Sequence, residues 1–204
     1  MQVAYLSLPE EFVRYVFEER RSLLERMLGG EVSPEEVALG FTRHTPVVVT
    51  CGPAGLNASV KGVGLVPREG LVADLARLLC SELEGGVTRG RAIRLLLERV
   101  YRREVLDLTK LSSIELAKGH TWANVQRRPE ATLLFYTPPS VSYEVRCRVE
   151  VHSEGPYWEF VNAVHDLFHG GRPSGRWSER PVYIFRVVEI YDNSPSAMGA
   201  RIYP

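Results

Sequence analysis

Lysine is the scarcest charged residue in this chain of 204: of its 25 basic side chains only Lys61, Lys110 and Lys118 are lysine. Asp and Glu also number 25, so the formal net charge is zero and no overall field draws the chain to nucleic acid or an anionic membrane. Any anion site has to be local. Cysteine is almost missing as well. Cys51, Cys80 and Cys147 stand far apart, odd in number and without a Cys-x-x-Cys pair, which reads as buried free thiols in a reducing compartment. No apolar run approaches the roughly 18–20 residues that cross a bilayer. The N-terminus is an acidic amphipathic stretch without the basic and apolar regions of a signal peptide, so the expected location is the cytoplasm. There is no internal repeat and no low-complexity segment longer than the Gly-rich loop at 170–175.

What is present is an ordinary globular balance, 45% apolar and 25% charged, in a length that one domain can accommodate. Leu8, Phe12, Val13, Val16, Phe17, Leu23, Leu24 and Met27 recur at helical spacing up to Gly29-Gly30. Ser33-Pro34-Glu35-Glu36 opens a second, short helix with a capping box and ends near Gly40. Pro46 to Cys51 is a β-branched run closed by Gly52-Pro53-Ala54-Gly55, and 57–66 follows as a glycine-rich strand, together a hairpin. Helical spacing returns over 71–83 and 91–101, with Thr88 as N-cap of the second segment. Strands are then expected over 104–108, 131–136, 141–152 and 182–191, a short helix over 121–127 and a longer one over 156–168. The segments group as N-terminal helices (1–40), a sheet-forming part (41–66 and 103–204) and a helical insert (70–102).

The chemistry concentrates in one stretch. Thr109-Lys110-Leu111-Ser112-Ser113, then Lys118-Gly119-His120-Thr121-Trp122-Ala123-Asn124, then Arg127-Arg128-Pro129 gather hydroxyls, cations and free backbone N–H groups around a helix start. A phosphate monoester needs that set of donors. The plain alternative is a capped surface helix with solvated charges.

A strand, a polar turn, a small-Gly-polar-Thr-aromatic-x-Asn segment, two basic residues with a proline, an aliphatic strand and an alternating strand resemble the core of FMN-binding split β-barrels of the pyridoxamine 5'-phosphate oxidase-like family. The match covers about 104–151 and 180–202, with the 46–66 hairpin compatible, and the helices at 8–40 and 70–102 have no counterpart. The resemblance implies an α+β fold, an antiparallel split β-barrel with added N-terminal and inserted helices. It implies an FMN phosphate site among Lys118, His120, Thr121 and Asn124; Thr109 and Lys110 are further cofactor-binding candidates, and backbone groups around Asn57, Ser59 and Val60 of the first hairpin are the candidates for the ring edge. It also implies a homodimer with flavin at the subunit boundary, to which Trp158, Trp177 or Tyr183 of the second copy would contribute. The expected activity is a flavin-dependent redox step on an unidentified small molecule. The arginine and tyrosine set that holds the substrate of pyridoxamine phosphate oxidase itself is absent from the pattern.

Other readings stand beside this one. The same fold could carry haem, with His120 or His152 as axial candidates, or a deazaflavin, or serve as a non-enzymatic dimer. His165 and His169 have the i, i+4 spacing of a zinc pair but no third ligand, so no metal is expected. Arg89, Arg91, Arg94, Arg99, Arg102 and Arg103 raise nucleic-acid binding. The acidic face of Glu10, Glu11, Glu18, Glu19 and Glu25 offers those arginines intramolecular partners instead.

Overall fold

A computed structural model describes residues 8–169, 171, 173 and 175–204. Residues 1–7, counted above with the N-terminal helices, lie outside the described residues, as do Gly170, Arg172 and Ser174 of the 170–175 loop. The first helical stripe forms α1 (Glu10–Val13), a π-helical turn (Arg14–Glu18) and α2 (Glu19–Gly29), capped by Gly30 at a left-handed φ of 72°. Phe12, Tyr15, Val16 and Phe17 are buried, and Phe12 and Tyr15 meet Phe135 and Tyr143 at ring separations of 5.2–6.0 Å. This helix therefore closes over the apolar inner face of the sheet.

α3 (Pro34–Thr42) starts at the expected capping box. The Glu36 N–H donates to Ser33 Oγ at 3.2 Å, and the Ser33 N–H donates to Glu36 Oε2 at 3.0 Å. At the far end Thr42 Oγ1 lies 2.6 Å from Thr137 Oγ1, which fastens the helix to the sheet. Ser33→Ala removes one arm of the box and should cost about 1 kcal/mol. Urea unfolding would show this as a lower midpoint at unchanged slope.

Eight antiparallel strands follow: β1 (Val47–Gly52), β2 (Gly55–Val60), β3 (Gly64–Pro67), β4 (Leu106–Ile114), β5 (Glu130–Thr137), β6 (Val141–His152), β7 (Val182–Asp192) and β8 (Ala200–Tyr203). Their order is β2-β1-β5-β6-β7-β4-β3, with β8 added to β7, so β2 and β3 are edges and the ladder does not close on itself. The α+β class and the antiparallel sheet with N-terminal and inserted helices agree with expectation.

Two strand readings need correction. The single strand expected over 57–66 is two strands at opposite ends of the sheet. The chain leaves the first ladder at Lys61 and Gly62, and the Val63 N–H turns to the His44 carbonyl at 2.7 Å. Four residue steps span at most about 14 Å, at ~3.6 Å each, so the sheet bends far enough to bring its two edges together at this corner. The strand expected over 104–108 instead runs to Ile114, because 110–114 pair with β7. Lys110, Ser112 and Ser113 are buried there in strand, not in a polar turn.

The helical insert finds its place against other helices. α4 (Glu69–Gly85) packs on α7 (Pro156–His169), α5 (Arg89–Arg99) packs on α2 and α7, and α7 lies against β7 and β4. Val72, Ala76, Leu79 and Leu83 of α4 are all buried. Arg91, Arg102 and Arg103 of the basic segment pair with Glu82, Glu104, and Glu10 and Glu18 respectively. The rings of His165 and His169 lie tilted with centres 4.5 Å apart, and His165 Nδ1 lies 3.1 Å from Asp166 Oδ1. No described helix is long and apolar enough to cross a membrane.

Candidate functional site

The β1–β2 hairpin and the segment between β4 and β5 meet at one corner. The segment carries α6 (His120–Val125), whose side chains lie over the end of the hairpin. Asn124 is completely buried and joins the two. Its Oδ1 accepts from the Ala54 N–H at 2.8 Å, and its Nδ2 donates to the Gly55 carbonyl at 2.8 Å and to Thr50 Oγ1 at 3.2 Å. Gly52 has to be glycine for this contact, since a Cβ would stand 2.9 Å from Asn124 Cα. Both hydrogens and the oxygen of the amide are thus engaged within the chain, which makes Asn124 a fastening residue.

Beside it, Thr121 Oγ1 receives Asn57 Nδ2 at 2.9 Å and lies 3.1 Å from Ser59 Oγ. Three of the sequence-predicted residues, Asn57, Ser59 and Thr121, therefore share one polar network, and a fourth, Asn124, anchors a separate one from the same short helix. Lys118 and His120 stand exposed where the chain enters α6. Among the described residues neither Lys118, His120 nor Arg127 forms an ion pair, and Lys118 Nζ lies 5.8 Å from the Trp122 ring centre. α6 has only six residues. Its dipole is correspondingly small, so holding an anion falls to side chains.

Thr109 and Lys110 are placed differently. The Thr109 N–H and hydroxyl donate to Asp107 Oδ1, and the buried Lys110 ammonium lies 2.9 Å from Asp107 Oδ2 and 3.1 Å from the Tyr157 hydroxyl. Burial opposes the charge on Lys110, but Asp107 and Tyr157 outweigh it and hold its pKa above the usual lysine value. Lys110 is thus already neutralised by Asp107 of its own strand and tied to α7 through Tyr157.

Sequence reasoning missed the group that organises the corner. Glu115 is 2% exposed, and its Oε2 accepts from Lys61 Nζ at 2.9 Å and from the Tyr183 hydroxyl at 2.7 Å. Its Oε1 accepts from the N–H groups of Ala117 and Lys118, both at 2.8 Å. Burial alone would push this carboxyl up, yet Lys61, Tyr183 and the Ala117 N–H outweigh it and hold it below the usual glutamate range. The Tyr183 hydroxyl is pushed up by burial and by the carboxylate it serves. The one available signal was the scarcity of lysine: all three mark polar junctions.

Val60 faces the other way. Row by row, Val60 pairs with Val47 and Val47 with Leu134, so the outward face of β2, β1 and β5 is apolar and open. Leu56 is 79% and Val60 68% exposed. A cleft of about 460 Å³ continues this face, lined by Cys51, Leu56, Thr132, Arg128, Arg146 and Arg148. Cys51 is exposed there, Cys80 is half-buried and only Cys147 is buried, so the reading of three buried thiols holds for one of them. The aromatic residues assigned to a second copy are engaged in their own chain. Tyr183 is fully buried, Trp158 Nε1 donates to the Arg180 carbonyl at 3.0 Å, and Trp177 Nε1 donates to Asp166 Oδ2 at 2.7 Å.

The chemistry of the corner suits an anion. Lys61 is paired with Glu115, whereas the exposed Lys118 ammonium has no ion-pair partner among the described residues, and the hydroxyls of Ser59 and Thr121 meet at the same corner. No family model and no curated protein matches the chain. Among solved structures it is similar to HupZ of Group A Streptococcus, with 16% identity and a TM-score of 0.49 over 83% of this chain and 98% of that one. It is similar to a candidate pyridoxamine 5'-phosphate oxidase from Lactobacillus delbrueckii, with 18% identity and a TM-score of 0.43 over 78% and 93% of the two chains. Another such candidate, from Listeria innocua, has 13% identity and a TM-score of 0.43 over 78% and 98%.

Proposed function

We propose that the chain is an FMN-binding flavoprotein, a single 1–204 domain that pairs into a homodimer and supports a flavin-dependent redox step. The observation that carries this reading is the two-sided edge strand β2. Asn57 and Ser59 on one face join Thr121 beside Lys118, while Leu56 and Val60 on the other face are apolar and exposed. A ligand with a phosphate at one end and a planar heterocycle at the other finds partners for both ends at this edge. Lys118, His120, Thr121 and Ser59 would hold the phosphate. The outward face of β2, β1 and β5 would be covered by the ring and by the second copy, since an apolar surface of this kind on an isolated chain is unfavourable. Once bound, the flavin supplies the electron transfer, and the protein's part is to bind, orient and exclude water.

Titration with FMN, followed by flavin fluorescence and by the absorbance bands near roughly 370 and 450 nm, tests the proposal. Wild-type protein should bind FMN more tightly than riboflavin, which lacks the phosphate. Lys118→Ala and the Lys118→Ala, Thr121→Ala double variant should weaken FMN by about 10-fold or more, near 1.4 kcal/mol, and leave riboflavin almost unchanged. Protein that neither shifts nor quenches the flavin would sink the reading.

A further inference from the structure

We infer that Glu115, held by Lys61 and Tyr183, is the positioning residue that sets the turn presenting Lys118. Lys118 has a φ of 48°, in the left-handed region that a non-glycine residue seldom occupies. Such a conformation persists where surrounding contacts over-determine it. Here the contacts are the two N–H groups of Ala117 and Lys118, which converge on one carboxylate oxygen of Glu115. The other oxygen of Glu115 is tied to two separate parts of the sheet, the β2–β3 link through Lys61 and β7 through Tyr183. Lys61 also lies over the Tyr183 ring, 5.7 Å from its centre. Glu115 is therefore a four-donor junction between the bent corner of the sheet and the loop that leads into α6. None of the three side chains needs to touch a ligand. They act through the backbone they hold, and charge-assisted hydrogen bonds of this kind are about twice as strong as neutral ones.

The same junction explains a feature of the corner. Lys61 sits where the chain crosses from one sheet edge to the other, so the geometry of that crossing and the geometry of the Lys118 turn are coupled through a single carboxylate. A change in how the edges approach each other would be transmitted to Lys118.

The inference rests on the flavin reading only for what Lys118 binds, and its test separates the two. Amide hydrogen exchange at Ala117 and Lys118, measured by NMR on ligand-free protein, is compared between wild type, Glu115→Ala, Lys61→Met and Lys61→Arg. Far-UV circular dichroism confirms that each variant is folded. The expected result is exchange about 10-fold faster or more at these two amides in Glu115→Ala, equivalent to the loss of one hydrogen bond. Amides inside β6 should not change. Lys61→Met should give a smaller acceleration and Lys61→Arg should restore protection, a rescue that a generally loosened fold would not show. If Glu115→Ala fails to fold, the Lys61 pair decides the matter alone. In the FMN titration Glu115→Ala should weaken FMN about 10-fold and leave riboflavin unaffected. Unchanged protection at Ala117 and Lys118 in the folded variants would overturn the inference whatever FMN does. Wild-type protein that ignores FMN while the variants lose protection would sink the flavin reading and uphold this one.

Discussion

Asn124→Ala should lower the unfolding free energy by about 2–4 kcal/mol, the cost of leaving several buried polar groups without partners. The amide has no exposed surface and makes three hydrogen bonds, to the Ala54 N–H, the Gly55 carbonyl and the Thr50 hydroxyl. Ala54 and Gly55 lie at the rim of the hairpin, where water can reach part of the gap, so the loss falls short of three full desolvation penalties. For a chain of this size the change corresponds to a melting temperature lower by roughly 5–15 °C. Asn124→Asp sharpens the test. It keeps the acceptor for Ala54 but turns a second oxygen toward the Gly55 carbonyl and Thr50. At neutral pH it should be at least as damaging as alanine, with partial recovery in acid as the carboxyl takes up a proton and can donate. Thermal unfolding of both variants at two pH values measures this. A loss below about 1 kcal/mol for alanine would mean that α6 is held chiefly by apolar contacts.

The second large effect is one of pH. His44 sits in the link before β1, its ring 4.9 Å from Phe41, with Nδ1 buried and without a hydrogen-bond partner among the described residues. Burial, reinforced by the nearby Arg20 guanidinium, lowers its pKa from 6.5 to about 3. The folded state therefore keeps the imidazole neutral in a range where the unfolded chain protonates it. Below pH 6.5 the unfolded state binds more protons, so stability declines as pH falls and continues to decline until about pH 3. By pH 5 the loss from this group is about 2 kcal/mol, and over the whole window it is of the order of 4 kcal/mol. His44→Phe keeps an aromatic ring against Phe41 and removes the proton site. Urea unfolding between pH 7 and 5 should show the variant losing that much less stability than wild type. His165, whose pKa is also lowered by burial, contributes to both profiles and cancels in the difference. Parallel profiles for the two proteins would show that His44 is solvated in the folded state.

Much of the architecture was readable before any coordinates. The alternation of Tyr143, Val145, Cys147 and Val149 with Glu144, Arg146 and Arg148 places β6 at 141–152, as observed, because one face of that strand is buried and the other is not. Ser33-Pro34-Glu35-Glu36 marks the start of α3 through a local hydrogen-bond pattern. The insert helices were legible from their own periodicity. Their counterpart in the fold was not, since the faces of α4 and α5 meet α7 and α2, which are distant in the chain.

The misses have the opposite character. The continuous strand pattern over 57–66 hides a change of partner, because β-propensity records that a residue suits a sheet and not which edge of the sheet it joins. Thr109 to Ser113 looked like a polar turn because hydroxyls and a lysine are seldom buried. The pairing with β7 and the partners Asp107 and Tyr157 reverse that expectation. For the site, the sequence brought forward Asn57, Ser59, Thr121 and Asn124, which the fold brings to one corner, and also Thr109 and Lys110, which it assigns to a separate network. It passed over Glu115.

What the sequence determined by itself were the features set within a few residues: helix starts and stops, the alternation of strands, the neutral overall charge and the clustering of donors around Thr121. What only the tertiary structure decided was pairing across long separations. It tied Lys61 to Glu115, laid Asn124 on the hairpin and left the outward face of β2 open. Local order follows from backbone sterics and nearest-neighbour hydrogen bonds, which a short window contains. The strength and role of a buried carboxylate or amide depend on which distant donors surround it, and those are known only once the chain has closed on itself.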